Sequence, residues 1–111
     1  MKPTVLLTLL TTAAASPLTA WRLDLTTTDS RTLSLRGTTS DVGKCLTVPL
    51  ASSLTKFRRA FFDPQASLSS VARFELFSDS SCGRTGLVYT GRRGVHTFNP
   101  STVRSYRVRN L

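Results

Sequence analysis

The chain has 111 residues, enough for one domain, with 15 lysine and arginine residues against 6 acidic residues. Two cysteines and one histidine are too few for a structural zinc site, which takes about four ligands, and no glycine pattern predicts a phosphate or nucleotide site, so we expect no cofactor. The formal charge of +9 suits an anionic partner, although it equally suits an ordinary soluble cationic surface.

The first residues have the pattern of a secretory signal peptide. Lys2 provides a positive charge, residues 5–15 are apolar, and small residues follow. Cleavage after Ala15 or after Ala20 fits this pattern, so we expect residues 1–20 to be a signal peptide. The alternative is an N-terminal helix or strand buried in the domain. No later stretch reaches the roughly 20 apolar residues that span a membrane, so we expect a secreted protein without a transmembrane anchor.

Two cysteines remain after this leader, Cys45 and Cys82. A secreted protein with an even number of cysteines typically pairs them, and two cysteines allow one intramolecular disulfide. In the chain-entropy description, a bridge over a loop of this size contributes about 3–4 kcal/mol. Two reduced, buried thiols are the alternative.

From Trp21 onward, apolar and polar residues alternate, and no stretch has the spacing of an amphipathic helix. Such alternation, interrupted by Ser, Gly, Asp and Pro, is typical of short β-strands. The stretch Lys56–Phe62 is the most apolar and predicts a core strand with one charged side. We therefore predict an all-β sandwich or barrel, with residues 63–70 as a linker near its middle.

The second half of the mature chain repeats the first. Four pairs of segments match in the same order, namely 22–25 (RLDL) with 73–76 (RFEL), 32–37 with 86–91, 46–49 with 96–100, and 53–58 with 102–107. We predict a single domain, residues 21–111, that consists of two four-stranded units, 21–62 and 71–111. Because neither unit can bury its apolar face alone, we expect the two to pack together as a sandwich.

Two features of the second half carry a family resemblance. An aromatic strand runs into the hairpin Phe77–Gly83, and a later serine begins the strand Ser105–Val108. A unit of this kind, used twice, resembles the βγ-crystallin Greek-key domain, and small secreted fungal proteins of the effector and killer-toxin type are similar. The resemblance implies two four-stranded Greek-key units packed as a β-sandwich. Cys82 stands where the family prefers an aromatic residue, and the hairpin glycine lies one place early.

The calcium site of that family uses two adjacent Asn or Asp residues and a later pair of serines. The positions that align here are Pro100, Ser101, Arg104 and Ser105. A proline and an arginine replace oxygen ligands, which calcium requires in number. We expect neither calcium nor another metal, and we expect a monomer.

The basic residues are unevenly distributed. No acidic residue occurs from Ser80 to Leu111, and the arginines in that segment form the candidate surface for a protein or polyanionic partner: Arg84, Arg92, Arg93, Arg104, Arg107 and Arg109. Arginine binds carboxylates and phosphates through two parallel hydrogen bonds. The stretch Gly91–Gly94 (GRRG) is expected to be a tight turn whose arginines point into solvent, and a solvated turn without function is the alternative.

The chain has one glutamate, Glu75, and one histidine, His96. Together with an arginine they would resemble the catalytic base, acid and phosphate-binding group of small secreted ribonucleases. Glu75 alternates with Arg73 and so predicts a charged strand face, and we predict that the protein is not an enzyme. Our first hypothesis is an effector-like binding protein that engages a host or competitor protein or an anionic surface. The second is a cationic antimicrobial or killer-toxin-like protein that acts on cell walls or membranes, and the third is a small ribonuclease.

Overall fold

The computed structural model describes residues 19–49, 55–65 and 68–110, so nearly all of the predicted signal peptide lies outside the described residues. The described chain forms eight strands and no α-helix, which confirms the all-β prediction. The strands are β1 (Trp21–Thr27), β2 (Thr32–Gly37), β3 (Leu46–Thr47), β4 (Phe57–Pro64), β5 (Arg73–Phe77), β6 (Leu87–Gly91), β7 (Gly94–Ser101) and β8 (Ser105–Arg109). This part of the chain contains no helix long and apolar enough to cross a membrane.

The strands form two four-stranded antiparallel sheets, with the order β2-β1-β4-β7 in the first sheet and β3-β8-β5-β6 in the second. Each sheet takes the first, second and fourth strands of one half of the chain and the third strand of the other half. Strands that correspond in the two halves thus occupy corresponding places. The duplication, and the limits of the two units, stay predictions.

The core lies between the two sheets because alternate residues of each strand point inward. Trp21 of β1 packs edge-on against Tyr106 of β8, with 5.8 Å between the ring centroids. Phe62 of β4 packs against Phe74 of β5 at 5.3 Å. Trp21, Phe62 and Phe74 have no solvent exposure, and burying an aromatic side chain contributes about 1.5–3 kcal/mol. Burial, together with the charge of Asp41, raises the pKa of Tyr106 to about 12.

The segment predicted as a linker, residues 63–70, is partly structured. Asp63 and Pro64 are the last residues of β4, and Leu68 is buried with the core. Strand β4 therefore continues two residues beyond the predicted end of the first unit, because Trp21 and Arg22 of β1 extend far enough to pair with Pro64 and Asp63.

The connection from β5 to β6, residues 78–86, lies over the outer face of the second sheet. Phe77 is 2% exposed although it is not part of the core between the sheets. The Ser105 hydroxyl donates to the Asp79 carbonyl oxygen at 2.7 Å and accepts from the Cys82 amide at 3.1 Å. These two hydrogen bonds attach the connection to β8, so it covers Phe77.

A disulfide joins Cys45 to Cys82, with 5.9 Å between the Cα atoms, which confirms the predicted pairing. Cys45 immediately precedes β3, which pairs with β8 through two residues only, and Cys82 belongs to the connection that covers Phe77. The bridge therefore holds a very short edge strand to the rest of the second sheet. Cys82 itself adopts a left-handed conformation with φ 56°, the conformation that glycine adopts without strain.

Candidate anion-binding site

The structure places five of the six predicted arginines at the two ends of the sandwich and the sixth, Arg107, in the middle of β8. Arg84 and Arg104 lie at the end where β5 finishes and β8 begins, and the backbone amide of Arg104 donates to the Phe77 carbonyl oxygen. Arg92, Arg93 and Arg109 lie at the opposite end, because β6 and β8 finish there. The acid-free segment of the sequence thus does not correspond to one cluster.

Arg92 and Arg93 connect β6 of the second sheet to β7 of the first, so the GRRG turn joins the two sheets. Both residues are exposed, as expected. The Arg93 guanidinium nevertheless turns back to the end of β4, where Nη2 donates to the Pro64 carbonyl oxygen at 3.1 Å and Nη1 lies 3.7 Å from Asp63. Arg93 therefore stabilises the contact between the sheets, whereas the side chain of Arg92 has no partner among the described residues.

Arg107 and Arg109 lie beside Arg73 and Glu75 on the outer face of the second sheet. In the register of β5 and β8, Glu75 is opposite Arg107, and Arg73 is opposite Arg109. Arg107 Nε is 2.9 Å from Glu75 Oε1, and Arg109 Nη1 is 3.7 Å from Glu75 Oε2. The two arginines leave the Glu75 side chain only 13% exposed. We call Arg73, Arg107 and Arg109 the arginine cluster.

The guanidinium group of Arg73 has no carboxylate partner in this arrangement of the described residues. Both oxygens of Glu75 face arginines of β8, and Arg73 Nε is buried without a hydrogen-bond acceptor among the described residues. A buried donor of this kind costs on the order of 1–3 kcal/mol. Like charges directly opposite on neighbouring strands, as in Arg73 and Arg109, are also unfavourable. The cluster thus contains more positive charge than its own carboxylate compensates.

The corresponding strand of the first sheet is different. The Arg22 guanidinium donates to both carboxylate oxygens of Asp24, at 2.7–3.2 Å. On the neighbouring strand β4, Phe61 is opposite Asp24, and a second carboxylate, Asp63, is opposite Arg22. On the other neighbouring strand, β2, Arg36 is opposite Arg22. Both β1 and β5 thus have an arginine opposite an arginine of a neighbouring strand, but Arg22 has a carboxylate partner that accepts from its guanidinium, whereas Arg73 has no carboxylate partner among the described residues.

The contacts of Asp24 make the stability of the protein depend on acidic pH. Burial raises the pKa of Asp24, but hydrogen bonds from Arg22 and Ser34 and the charges of Arg22 and Arg36 outweigh it, so the folded pKa is below the ordinary value of 3.8. The carboxylate consequently stabilises the fold above pH of about 4, and this contribution is lost as the pH falls through the lowered pKa.

We expect Asp24→Asn to lower the free energy of unfolding by about 1 kcal/mol at neutral pH. The variant is expected to lose less stability than the unsubstituted protein when the pH falls from about 5 to about 2, because the titrating group is absent. Urea denaturation at several pH values measures both effects. Parallel pH profiles for the two proteins would contradict this assignment.

The arginine cluster lies beside the connection that covers Phe77. Arg107 Cζ is 5.4 Å from the centre of the Phe77 ring, a distance at which a cation is attracted to an aromatic face. Arg107 is therefore held on two sides, by Phe77 and by Glu75, and its side chain is 31% exposed. Arg109 is 47% exposed. The cluster thus combines one fixed guanidinium with a second that is accessible from solvent.

Glu75 lies on the outer face of the second sheet, whereas His96 belongs to β7 of the first sheet. His96 points between the sheets, where its ring packs edge-on against Phe74 at 5.3 Å. Its Nε2 is 2.8 Å from the Arg92 carbonyl oxygen, and its Nδ1 is 3.0 Å from the Tyr89 hydroxyl. Because a carbonyl oxygen only accepts, Nε2 bears a proton and donates to it. His96 therefore joins β6 to β7, and it does not converge with Glu75 into an acid-base pair.

The residues aligned with the calcium ligands of the βγ-crystallins are engaged elsewhere. The Ser105 hydroxyl is bonded to the Asp79 carbonyl oxygen and the Cys82 amide, and the Ser101 hydroxyl donates to the Asn99 carbonyl oxygen at 2.7 Å. Within the described ranges, no three His, Cys, Asp or Glu side chains are grouped so that they could hold a metal ion.

The sequence interpretation missed Arg73 as a site residue because Arg73 precedes the acid-free segment. The repeated order R-F-E-L did place Arg73 and Glu75 on one strand face, but it could not show that β8 pairs with β5 and contributes two arginines to that face.

No protein-family model, curated protein or solved structure matches this chain.

Proposed function

We propose that this chain is a secreted, disulfide-bonded binding protein that engages an anionic partner through the arginine cluster. One observation carries the proposal: Arg73 and Arg109 are directly opposite, and both oxygens of the single adjacent carboxylate, Glu75, face arginines of β8. A host or competitor protein with an acidic surface, or an anionic cell surface, would supply the missing acceptors. Its carboxylate, phosphate or sulfate groups would form charge-assisted hydrogen bonds with the guanidinium groups.

Two features support an extracellular location. The sequence begins with the pattern of a signal peptide in residues 1–20, and Cys45 and Cys82 form a disulfide, a bond that persists mainly in oxidising compartments. Secretion of the native precursor, with a mature chain that starts after residue 15 or 20, is the outcome that this part of the proposal requires.

We also propose that the domain is related to the βγ-crystallin-like Greek-key proteins that its sequence resembles, and two features of the fold support this proposal. The third strand of each half crosses to the opposite sheet, and Ser105 at the start of β8 binds the backbone of the β5–β6 hairpin. The resemblance includes the effector and the killer-toxin types alike, and we take the effector type as the first hypothesis. An antimicrobial or killer-toxin-like protein remains the alternative, and a growth-inhibition assay against fungi and bacteria separates the two.

Heparin binding tests the proposed surface. We expect Arg73→Gln with Arg109→Gln to elute from heparin at lower salt than the unsubstituted protein, with the salt slope of binding reduced by about two. The matched control is Arg36→Gln with Arg59→Gln, two exposed residues of the first sheet, which removes the same charge. We expect the control to shift elution less.

Circular dichroism and thermal unfolding verify that each double variant is folded. If the two pairs of substitutions lower heparin affinity equally, the positive charge acts diffusely and the proposed surface is wrong. The pair Arg92 and Arg93 is less suitable for this test, because the Arg93 side chain bonds to Pro64 and Asp63 and its loss would also loosen the contact between the sheets.

A further inference from the structure

We infer that the arginine cluster binds a phosphate monoester group. The inference rests on the proposed function, because it assigns a ligand class to the same face of the second sheet. Three features of the cluster carry it: the net charge, the position of Arg73 opposite Arg109, and the way in which Arg107 is held.

The charge of the cluster matches a dianion. Three guanidinium groups and one carboxylate, that of Glu75, leave a formal charge of +2. A phosphate monoester has a charge of about −1.5 to −2 at pH 7 and three acceptor oxygens. A carboxylate or a sulfate monoester supplies one negative charge, so it neutralises only half of the excess.

The geometry supplies donors from two strands. Residues directly opposite in an antiparallel pair have Cβ atoms about 4.5–5.5 Å apart, and Arg73 and Arg109 are such a pair. One oxyanion between their guanidinium groups would accept from both and would convert a repulsive pair into two charge-assisted contacts. For Arg73, whose Nε has no acceptor among the described residues, reorientation toward the anion exchanges an unsatisfied donor for a bonded one.

The guanidinium group of Arg107 is held in one position beside the site. Glu75 at 2.9 Å and the ring of Phe77 at 5.4 Å hold its guanidinium, so less side-chain entropy is lost when a ligand approaches it. The connection at residues 78–86 covers Phe77 on one side, and the cluster stays accessible on the other.

The test compares phenyl phosphate with phenyl sulfate, two probes of the same shape and different charge, by isothermal titration calorimetry at about pH 7.4. We expect phenyl phosphate to bind the mature protein at least about tenfold more tightly than phenyl sulfate. Arg73→Gln with Arg109→Gln is expected to abolish that preference, and the control Arg36→Gln with Arg59→Gln is expected to retain it.

Equal affinity for the two probes, or no measurable binding of either, would overturn the inference. If heparin binding still depends on Arg73 and Arg109, such a result leaves the proposed function intact and shows that the face recognises charge density. If heparin binding is also independent of the two arginines, the proposed function fails together with the inference. A preference for phenyl phosphate that survives in the double variant places the site elsewhere and also overturns it.

Phosphate monoesters occur on proteins and on lipids, and a second pair of probes separates these sources. A phosphoserine peptide represents a phosphoprotein, and phosphatidylcholine vesicles that contain phosphatidic acid represent a lipid headgroup. Binding of either probe that requires Arg73 and Arg109 supports the site and indicates the source. Failure of both, in a protein that binds phenyl phosphate, would contradict recognition of a macromolecular phosphate monoester.

Discussion

Replacement of both Cys45 and Cys82 by alanine is expected to lower the free energy of unfolding by about 3–4 kcal/mol. The disulfide joins residues 37 apart in sequence, so it removes many conformations from the unfolded chain. It also attaches the edge strand β3, which pairs with β8 through only two residues. Urea denaturation followed by the fluorescence of Trp21, the only tryptophan, measures the change.

Alkylation provides the control for this experiment. The unsubstituted mature protein is expected to take up no alkylating reagent before reduction and two equivalents after it, because the two cysteines of the chain are paired. If the double variant loses less than about 1 kcal/mol, the bridge constrains the unfolded chain less than the entropy description requires. Two alkylated cysteines before reduction would instead contradict the disulfide.

Phe74→Ala is expected to lower the free energy of unfolding by about 3–5 kcal/mol, the range for deletion of a buried aromatic ring. Phe74 has no solvent exposure and contacts rings from three other strands, those of Phe62, Tyr89 and His96, at centroid distances of 5.3–6.1 Å. The substitution leaves a cavity between the sheets that these neighbours cannot fill. Chemical denaturation of the purified variant measures the loss.

Phe61→Ala is the matched control. Phe61 is opposite Asp24 on the outer face of the first sheet, where it is partly exposed and lies 5.7 Å from Arg22 Cζ. Because solvent replaces the lost ring there, we expect a cost of about 1 kcal/mol or less. Equal losses for the two variants would contradict the assignment of inward and outward faces. If Phe74→Ala does not fold, Phe74→Leu provides the comparison.

Much of the fold follows from local patterns. Alternation predicted strands where β1, β2, β5 and β8 lie, and the apolar stretch Lys56–Phe62 predicted β4. Pro64 is an example of a residue whose structure the local pattern did not predict. It belongs to the segment that its composition predicted as a linker, yet it ends β4 because Trp21 of the neighbouring strand pairs with it. The sequence of residues 63–70 alone does not show that they pair with β1.

The candidate site was predictable only in part. The sequence showed an excess of arginine after Ser80, which includes Arg107 and Arg109. It grouped them with Arg84 and Arg104, which the fold places at the end of the sandwich opposite Arg109. Residues that are close in sequence can lie far apart in the fold, because a strand of about five residues places its first and last residues at opposite ends of the sheet.

The sequence by itself determined the fold class and the disulfide partners, because the first depends on local alternation and the second on the number of cysteines. The tertiary structure alone decided which charges meet. Arg22 and Arg73 occupy the same place in the repeated pattern. Strand β4 brings Asp63, and β2 brings Arg36, opposite Arg22, whereas β8 brings Arg109 opposite Arg73. Electrostatic energy depends on the distance between charges in space, and strand register across the sheet sets that distance.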